Sequence, residues 1–267
     1  MTVSKRKGAR STKEIPADIL QQLNTGLLET ANLVEWLAVD QQLLLKNLLR
    51  ENGRMDYLQP VLDKIEQLDK QTVNTINEAI GTGLFELTRA NKDEQLFKIM
   101  ATHNADLIRC WATYAIGNNE DLDITKTLMQ IQSFAADQHF GVREICWMAV
   151  RPKIARHLAE SIALLAQWTS NPDANIRRFA SESTRPRGVW CAHITALKEV
   201  PELALPILEP LKSDPEKYVQ DSVGNWLNDA SKTRPEFVQH LCNRWEAESD
   251  TKATKYIIKK ALRTLNK

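Results

Sequence analysis

The feature that most limits how this chain can fold is a recurrence. Arg109 in LIRCWATYAI, Arg143 in HFGVREICWMAVRP and Arg177 in NPDANIRRFASESTRPRGVW stand 34 residues apart. Each follows an apolar residue, Ile108, Val142 or Ile176, and opens a run with helical spacing. Tyr218-Val219-Gln220-Asp221 repeats the pattern after a longer interval, with Gln220 in the place of the arginine. A weaker copy stands at Lys255 in ATKYIIKKAL. A period between the mid-thirties and low forties, built of paired helices, predicts an α-solenoid, in which each repeat buries its apolar face only against its neighbours. Glycine is scarce at 9 residues and strand-like alternation with hairpin turns is absent, so the predicted class is all-α, a superhelix of helical repeats. Its 267 residues then need not be split. The expected organisation is a disordered basic tail over residues 1–13 and one repeat domain over 14–267.

The helices can be placed coarsely. DILQQLNTGLLE opens after Ile15-Pro16, ANLVEWLAVDQQLLLKNLLREN follows as a second run, and Gly53 breaks it. YLQPVLDKIEQL and QTVNTINEAIGTGLFELTRA read as two more, and the regular repeats begin near Lys92. In the segment from Asn171 to Trp190 a helix is expected from Ile176 to Thr184, stopped at Arg185-Pro186-Arg187. On its wheel Ile176, Phe179 and Ala180 share one side, and Arg178, Glu182 and Arg185 share the other. Three charges of alternating sign on one stripe read as a working surface.

Charge and cysteine usage exclude several classes. The formal net charge is +1, so any nucleic-acid contact must come from local charge. Lys5, Arg6, Lys7, Arg10 and Lys13 gather at one end; Lys252, Lys255, Lys259, Lys260, Arg263 and Lys267 gather at the other. The plainer reading of both is solvated, fraying termini. Cys110, Cys146, Cys191 and Cys242 form no CxxC pair and read as buried reduced thiols, and the 5 histidines form no HExxH pattern, so no metal and no cofactor is expected. With no signal peptide and no apolar run near ~20 residues, the expectation is a soluble cytoplasmic protein with no membrane partner.

If the second helix of each repeat lines a concave face, the residues after the basic position share one groove: Cys110, Glu144, Arg178 and Asp221. Trp147, three residues after Glu144, falls on the polar stripe; Trp190 falls at the groove edge; Phe140 sits in the turn before Val142. Trp111 and Trp226 read as core. A carboxylate beside aromatic faces suits a cation, with cation–π attraction worth about 0.5–2 kcal/mol. Arginines suit phosphates. A polymer with an anionic backbone and a cationic lesion is alkylated DNA, and a fixed carboxylate stabilises the positive charge that develops on the sugar as its N-glycosidic bond breaks. Peptide-binding solenoids carry similar groove residues. Arg109, Arg143 and Arg177 also have a plainer reading as ties between neighbouring repeats, and Trp147 and Trp190 as packing against the next one.

HFGVREICWMAVRP, RRFASESTRPRGVW and YVQDSVGNWLNDASKTRPEFV resemble the bacterial DNA alkylation repair glycosylases built from HEAT-like repeats, most strongly over residues 137–238. The AlkC branch is the nearer and the AlkD branch the more distant; the early run IPADILQQLNTGLLETANLVEWLAVD also resembles the former. The resemblance implies a glycosylase that excises cationic N-alkylated bases, 3-methyladenine or 3-methylcytosine, from double-stranded DNA in base excision repair near the nucleoid; a monomer is expected because the groove must stay free. It carries the catalytic carboxylate onto Glu144 and the groove arginine onto Arg178. Phe140 stands where the AlkD branch has Trp, and Asn225 stands where that branch has its second groove Trp, a departure that favours AlkC-like use of carboxylates. Glu182 and Asp221 are then candidate second acids, and Arg185, Arg187 and Trp190 lesion-side or backbone contacts. The alternatives are a non-catalytic DNA-binding solenoid of the same lineage and a protein-binding scaffold.

Overall fold

The computed structural model describes residues 6–266, and the regular structure among them is helical. The chain divides into two compact units. The first comprises the residues up to Glu120 together with Gln138–Ala149. It holds α1 (Ala17–Asn24), α2 (Leu33–Ala38), α3 (Gln41–Glu51), α4 (Leu58–Glu66), α5 (Val73–Ala90), α6 (Glu94–Ala101) and α7 (Asp106–Gly117). α8 (Ile124–Ala135) belongs to the second unit, Asp121–Asp137 with Val150–Lys267, and α9 (Phe140–Arg156) contributes to both. The second unit continues with α10 (Leu158–Trp168), α11 (Ala174–Ser183), α12 (Thr195–Glu199), α13 (Leu205–Leu208), α14 (Lys217–Ala230), α15 (Pro235–Glu248) and α16 (Lys252–Ala261).

Helix starts follow local chemistry. Asn32, Asp40, Thr72, Asp93, Asp123, Asp173 and Thr251 cap the helices that follow them with their side-chain oxygens, each cap being worth about 1 kcal/mol. Asp40 also divides what reads in sequence as one long run: its carboxylate accepts from the N–H groups of Gln42 and Leu43 and restarts the helix as α3. In the first unit α5 packs on α4 and α7 over Leu45, Leu49, Ile65, Ile80, Leu84 and Trp111, all fully buried. The α5–α7 crossing is close enough that a Cβ on Gly81 would stand 2.7 Å from that of Tyr114. In the second unit α14 packs on α11 and α16 around Val219, Val223, Trp226 and Ile257. Trp111 and Trp226 are core residues as expected.

The expected disordered tail has a described part and an undescribed one: residues 1–5 lie outside the described residues. The described part makes specific contacts. Thr12–Glu14 form one 3₁₀ turn. Arg6 forks onto the buried Glu35, both guanidinium N···O distances 2.6 Å, and the N–H groups of Ala9 and Ala31 donate to the same carboxylate. Burial opposes the charge of Glu35, yet Arg6 and the two N–H groups hold its pKa below the usual range.

The recurring basic position has a shared job. Arg109 Nη1 donates to the carbonyls of His103 and Asn104, at 2.7 and 2.8 Å. Arg177 Nη1 does the same to Asn171 and Pro172, and Arg143 Nη1 donates to Gln138. Gln220 keeps the bond without the charge, donating to the carbonyls of Asp214 and Pro215. Each side chain reaches back five or six residues and latches the turn that leads into its own helix. Arg177 also forks onto Asp214 at 2.6 and 3.0 Å, joining its own latch to the lead-in turn of α14. That is the tie between repeats expected of it.

Proline acts differently at the two Arg-Pro pairs. α11 stops at Ser183, before Pro186, as expected. α9 runs through Pro152 to Arg156. A proline within a helix costs roughly 3 kcal/mol, and here anchored residues on both sides offset it. Val150 and Ile154 are fully buried, Lys153 Nζ donates to Leu122 O, and Arg151 is gripped as described below.

Candidate functional site

In the first unit the start of α9 is set by a buried polar cluster. Asp106 accepts from the N–H and hydroxyl of Thr30, at 2.8 and 3.0 Å. The ring of His139 lies 2.7 Å from Thr30 O through Nε2, and Gly141 N–H donates to its Nδ1 at 3.1 Å. Burial pushes the pKa of Asp106 up. Phe140 opens the helix half-buried, its ring tilted on His139 at 4.6 Å between centroids. Gly141 allows a close pass, since a Cβ there would meet Trp36 Nε1 at 2.8 Å.

One turn later stands Glu144, half-buried, with Trp147 Nε1 donating to its Oε2 at 3.0 Å. Trp147 is only 2% exposed. The wheel placed it on a polar stripe; in the fold its ring is packed inside and its N–H satisfies the neighbouring carboxylate. An indole has an apolar body and one polar handle, and spacing alone does not show which of the two decides its place. The pairing orients Glu144 through a neutral donor.

In the second unit the expected working stripe is interior. Arg178, Glu182 and Arg185 are 7%, 4% and 8% exposed. Glu182 Oε1 accepts from Arg185 Nη1 at 2.7 Å, and Oε2 accepts from Ser222 Oγ at 2.7 Å and lies 3.5 Å from Arg178 Nη2. Arg185 continues to Asp229 at 2.7 and 2.9 Å, and Lys232 closes on the same aspartate. The guanidinium of Arg178 lies over the ring of Tyr218, 4.4 Å from its centroid. Burial opposes ionisation of Glu182, but Arg178 and Arg185, with the hydrogen bonds from Arg185 and Ser222, outweigh it and keep its pKa below the ordinary range. The three stripe residues are thus brought together, but under α14 and not toward solvent. Sequence reasoning did not single out Ser222 and Asp229, which complete the cluster, nor assign Tyr218 its part. Their one sequence signal is helical spacing along α14 itself, at 218, 222 and 229.

Asp221 and Asn225 lie on another side of α14. Asp221 accepts from Tyr256 Oη at 2.6 Å and from Lys260 Nζ, and Asn225 accepts from Arg263. Burial opposes the charge of Asp221, and the bonds from Lys260 and Tyr256 lower its pKa nonetheless.

The remaining candidates lie on the loop after α11. Arg151 was not expected here. Buried to 2% exposure, it donates to the carbonyl of Ser183 at the end of α11, at 2.7 Å, and to those of Arg185 and Ala192 beyond it, at 2.5 and 3.1 Å. Ile194 N–H donates to Pro186 O at 3.1 Å and closes the base of the loop. Arg187 is half-buried with its Nε sequestered and without a hydrogen-bond partner. Trp190 at the tip is 78% exposed and holds φ +58°. A non-glycine residue in the left-handed region costs on the order of 1–3 kcal/mol and often marks a working position. Cys110, Cys146 and Cys242 are buried thiols as expected, while Cys191 beside Trp190 is half-buried. Among the described residues no group of three or more His, Cys, Asp and Glu side chains is arranged to hold a metal, and no helix is long and apolar enough to cross a membrane.

Comparison with known proteins gives this geometry a context. The family described as DNA alkylation repair enzyme matches residues 124–265, a span that contains all the candidate residues above from Phe140 to Asn225. Protein YhaZ of Bacillus subtilis, uncharacterised, is 40% identical over 136 residues, 51% of this chain and 38% of YhaZ. Among solved structures, the alkylpurine DNA glycosylase AlkC of Pseudomonas fluorescens, bound to DNA containing an abasic site analogue, superposes with a TM-score of 0.68 at 21% identity, over 97% of this chain and 66% of AlkC. AlkD2 of Streptococcus mutans superposes with a TM-score of 0.61 at 18% identity, over 81% of this chain and 98% of AlkD2. At these identities the structures share the helical-repeat fold, and this chain spans less than two thirds of YhaZ and of AlkC.

Proposed function

This chain belongs to the DNA alkylation repair enzyme family, and from that premise we propose that it is a monofunctional DNA glycosylase. Its substrate is duplex DNA carrying cationic N-alkylated bases, of which 3-methyladenine and 3-methylcytosine are the type. The observation that carries the reading is Glu144, a half-buried carboxylate held in orientation by the indole N–H of Trp147 at 3.0 Å.

The reaction asks for little else. The alkylated base is already positive, so the C1′–N bond breaks with its electron pair going to the base, which leaves neutral. Positive charge develops on C1′ and the ring oxygen of the sugar. An oriented carboxylate stabilises it, and preorganised groups of this kind contribute about 10²–10³ in rate. Water adds its oxygen to C1′ and passes a proton to Glu144. The products are the free base and an abasic site.

Arg187, Trp190, Asp221 and Asn225 in the second unit and Phe140 in the first are assigned to DNA contacts, whereas Arg178, 7% exposed beneath α14, positions Glu182 instead. Asp221 is the better candidate for a second acid, because Glu182 is spent on two arginines inside the fold. The binding of DNA by AlkC supports duplex DNA as the partner here, bound by one copy of the chain in the cytoplasm.

The test is release of methylated bases from methylated DNA, separated by chromatography across several lesions. The wild type releases them; Glu144→Gln lowers release 10²–10³-fold and melts at the same temperature. Full release by that variant removes Glu144 from the mechanism. Salt-dependent duplex binding without release leaves a non-catalytic binding module instead.

A further inference from the structure

We propose that the loop Pro186–Ile194 is a braced arm whose Trp190 indole stacks at the gap left in a DNA duplex by a missing or displaced base. The partner is taken from the glycosylase reading; the arm itself stands on its construction.

The base of the loop is built to resist movement. Arg151 grips the carbonyls of Ser183, Arg185 and Ala192, and Ile194 N–H closes on Pro186 O. Gly188 is packed so tightly that a Cβ there would collide with Cys191 Sγ and stand 3.2 Å from the Arg151 guanidinium. Immobile support of this kind is wasted on a tip that does nothing. At the tip, Val189 and Trp190 are exposed, the indole to 78%, in a left-handed backbone conformation. Exposure forgoes the burial of the largest apolar side chain, and the backbone is strained as well. Among the described residues no hydrogen bond or ring contact of Trp190 offsets either, so an external partner is the economical explanation.

The charge around the tip selects the partner. From Arg187 to Lys198 the chain carries Arg187 and Lys198, and no acid. A flat aromatic face among cations matches a base beside phosphates, since every base offers a π face and every neighbouring group an anion. An intact stack has no opening for an indole without unstacking it. A site that lacks a base has the opening already, so insertion there avoids that penalty. The arm therefore recognises the gap more than the duplex, and its contribution is roughly the tenfold that one base–aromatic stack supplies.

The measurement uses the full chain and two duplexes, one intact and one with a tetrahydrofuran abasic-site analogue beside 2-aminopurine. Wild type prefers the abasic duplex and changes the 2-aminopurine emission. Trp190→Ala lowers the abasic-to-intact affinity ratio about tenfold and abolishes the emission change, whereas Trp190→Phe retains most of both. An unchanged ratio in Trp190→Ala overturns the proposal, as does a wild type with no preference. Binding to phosphatidylglycerol vesicles that depends on Trp190, with no such ratio, overturns it in favour of a membrane surface. Base release by the wild type is scored separately. Release with an unchanged ratio sinks the arm alone; no release sinks the glycosylase reading while the ratio still decides the arm.

Discussion

Glu144 and Glu182 each sit on a repeat helix, on the polar stripe of its wheel, and their surroundings differ in kind. Glu144, in the first unit, is half-buried and oriented by a neutral indole one turn away. Glu182, in the second, is buried to 4% exposure between Arg178, Arg185 and Ser222. A carboxylate that must act on a substrate needs orientation and reach. A carboxylate that must hold cations in place needs burial and several donors. Residue type and wheel position are the same for both tasks; the partner set separates them.

The largest effect expected from this contrast is on stability. Glu182→Gln removes the carboxylate shared by two buried guanidinium groups, of which Arg185 keeps Asp229, and costs about 3–5 kcal/mol, as breaking a buried ion pair does, read by denaturant unfolding. Glu144→Gln changes the same measurement by less than about 1 kcal/mol, within the range of substitutions outside the core. Equal stability in the two variants would break the contrast. On base release the order reverses: Glu144→Gln loses about 10²–10³ in rate, or ~2.7–4 kcal/mol of barrier. Trp147→Phe keeps the ring and removes the N–H, so release falls a few-fold to tenfold, matching a hydrogen bond worth about 0.5–1.5 kcal/mol. The smallest effect is on pH dependence. The pKa of Glu182 is lowered from an ordinary 4.5, so its contribution to stability is complete above that pH and is lost as pH falls through the folded value. Acid unfolding of Glu182→Gln should lack this component, which following the unfolding midpoint below pH 4.5 will reveal.

Much of the fold was legible because the signals were local. The helix expected from Ile176 to Thr184 is α11, Ala174–Ser183, and one of the recurring arginines, Arg177, does tie its repeat to the next through Asp214. Family membership followed from the segments around Glu144, Arg178 and Asp221. What escaped was non-local. Arg178, Glu182 and Arg185 read as a working surface because a wheel shows what a helix offers and not what packs against it; Ser222 and Asp229, which pair with Glu182 and Arg185, lie some 40 residues onward. Trp147 was misread for a related reason, its burial depending on neighbours and its polar handle on Glu144. Arg151 gave no signal at all, since its partners are backbone carbonyls, which every residue carries.

The latch of the repeats has one more implication. Arg109, Arg143 and Arg177 are evenly spaced, but Gln220 follows Arg177 by 43 residues. Because each latch closes on the few residues just before it, the stretch between latches is free to grow without unseating either helix. The interval that grew is the one that carries Pro186 to Ile194. A scaffold fastened at such short range tolerates added length, and new surface can be grafted there without redesigning the frame.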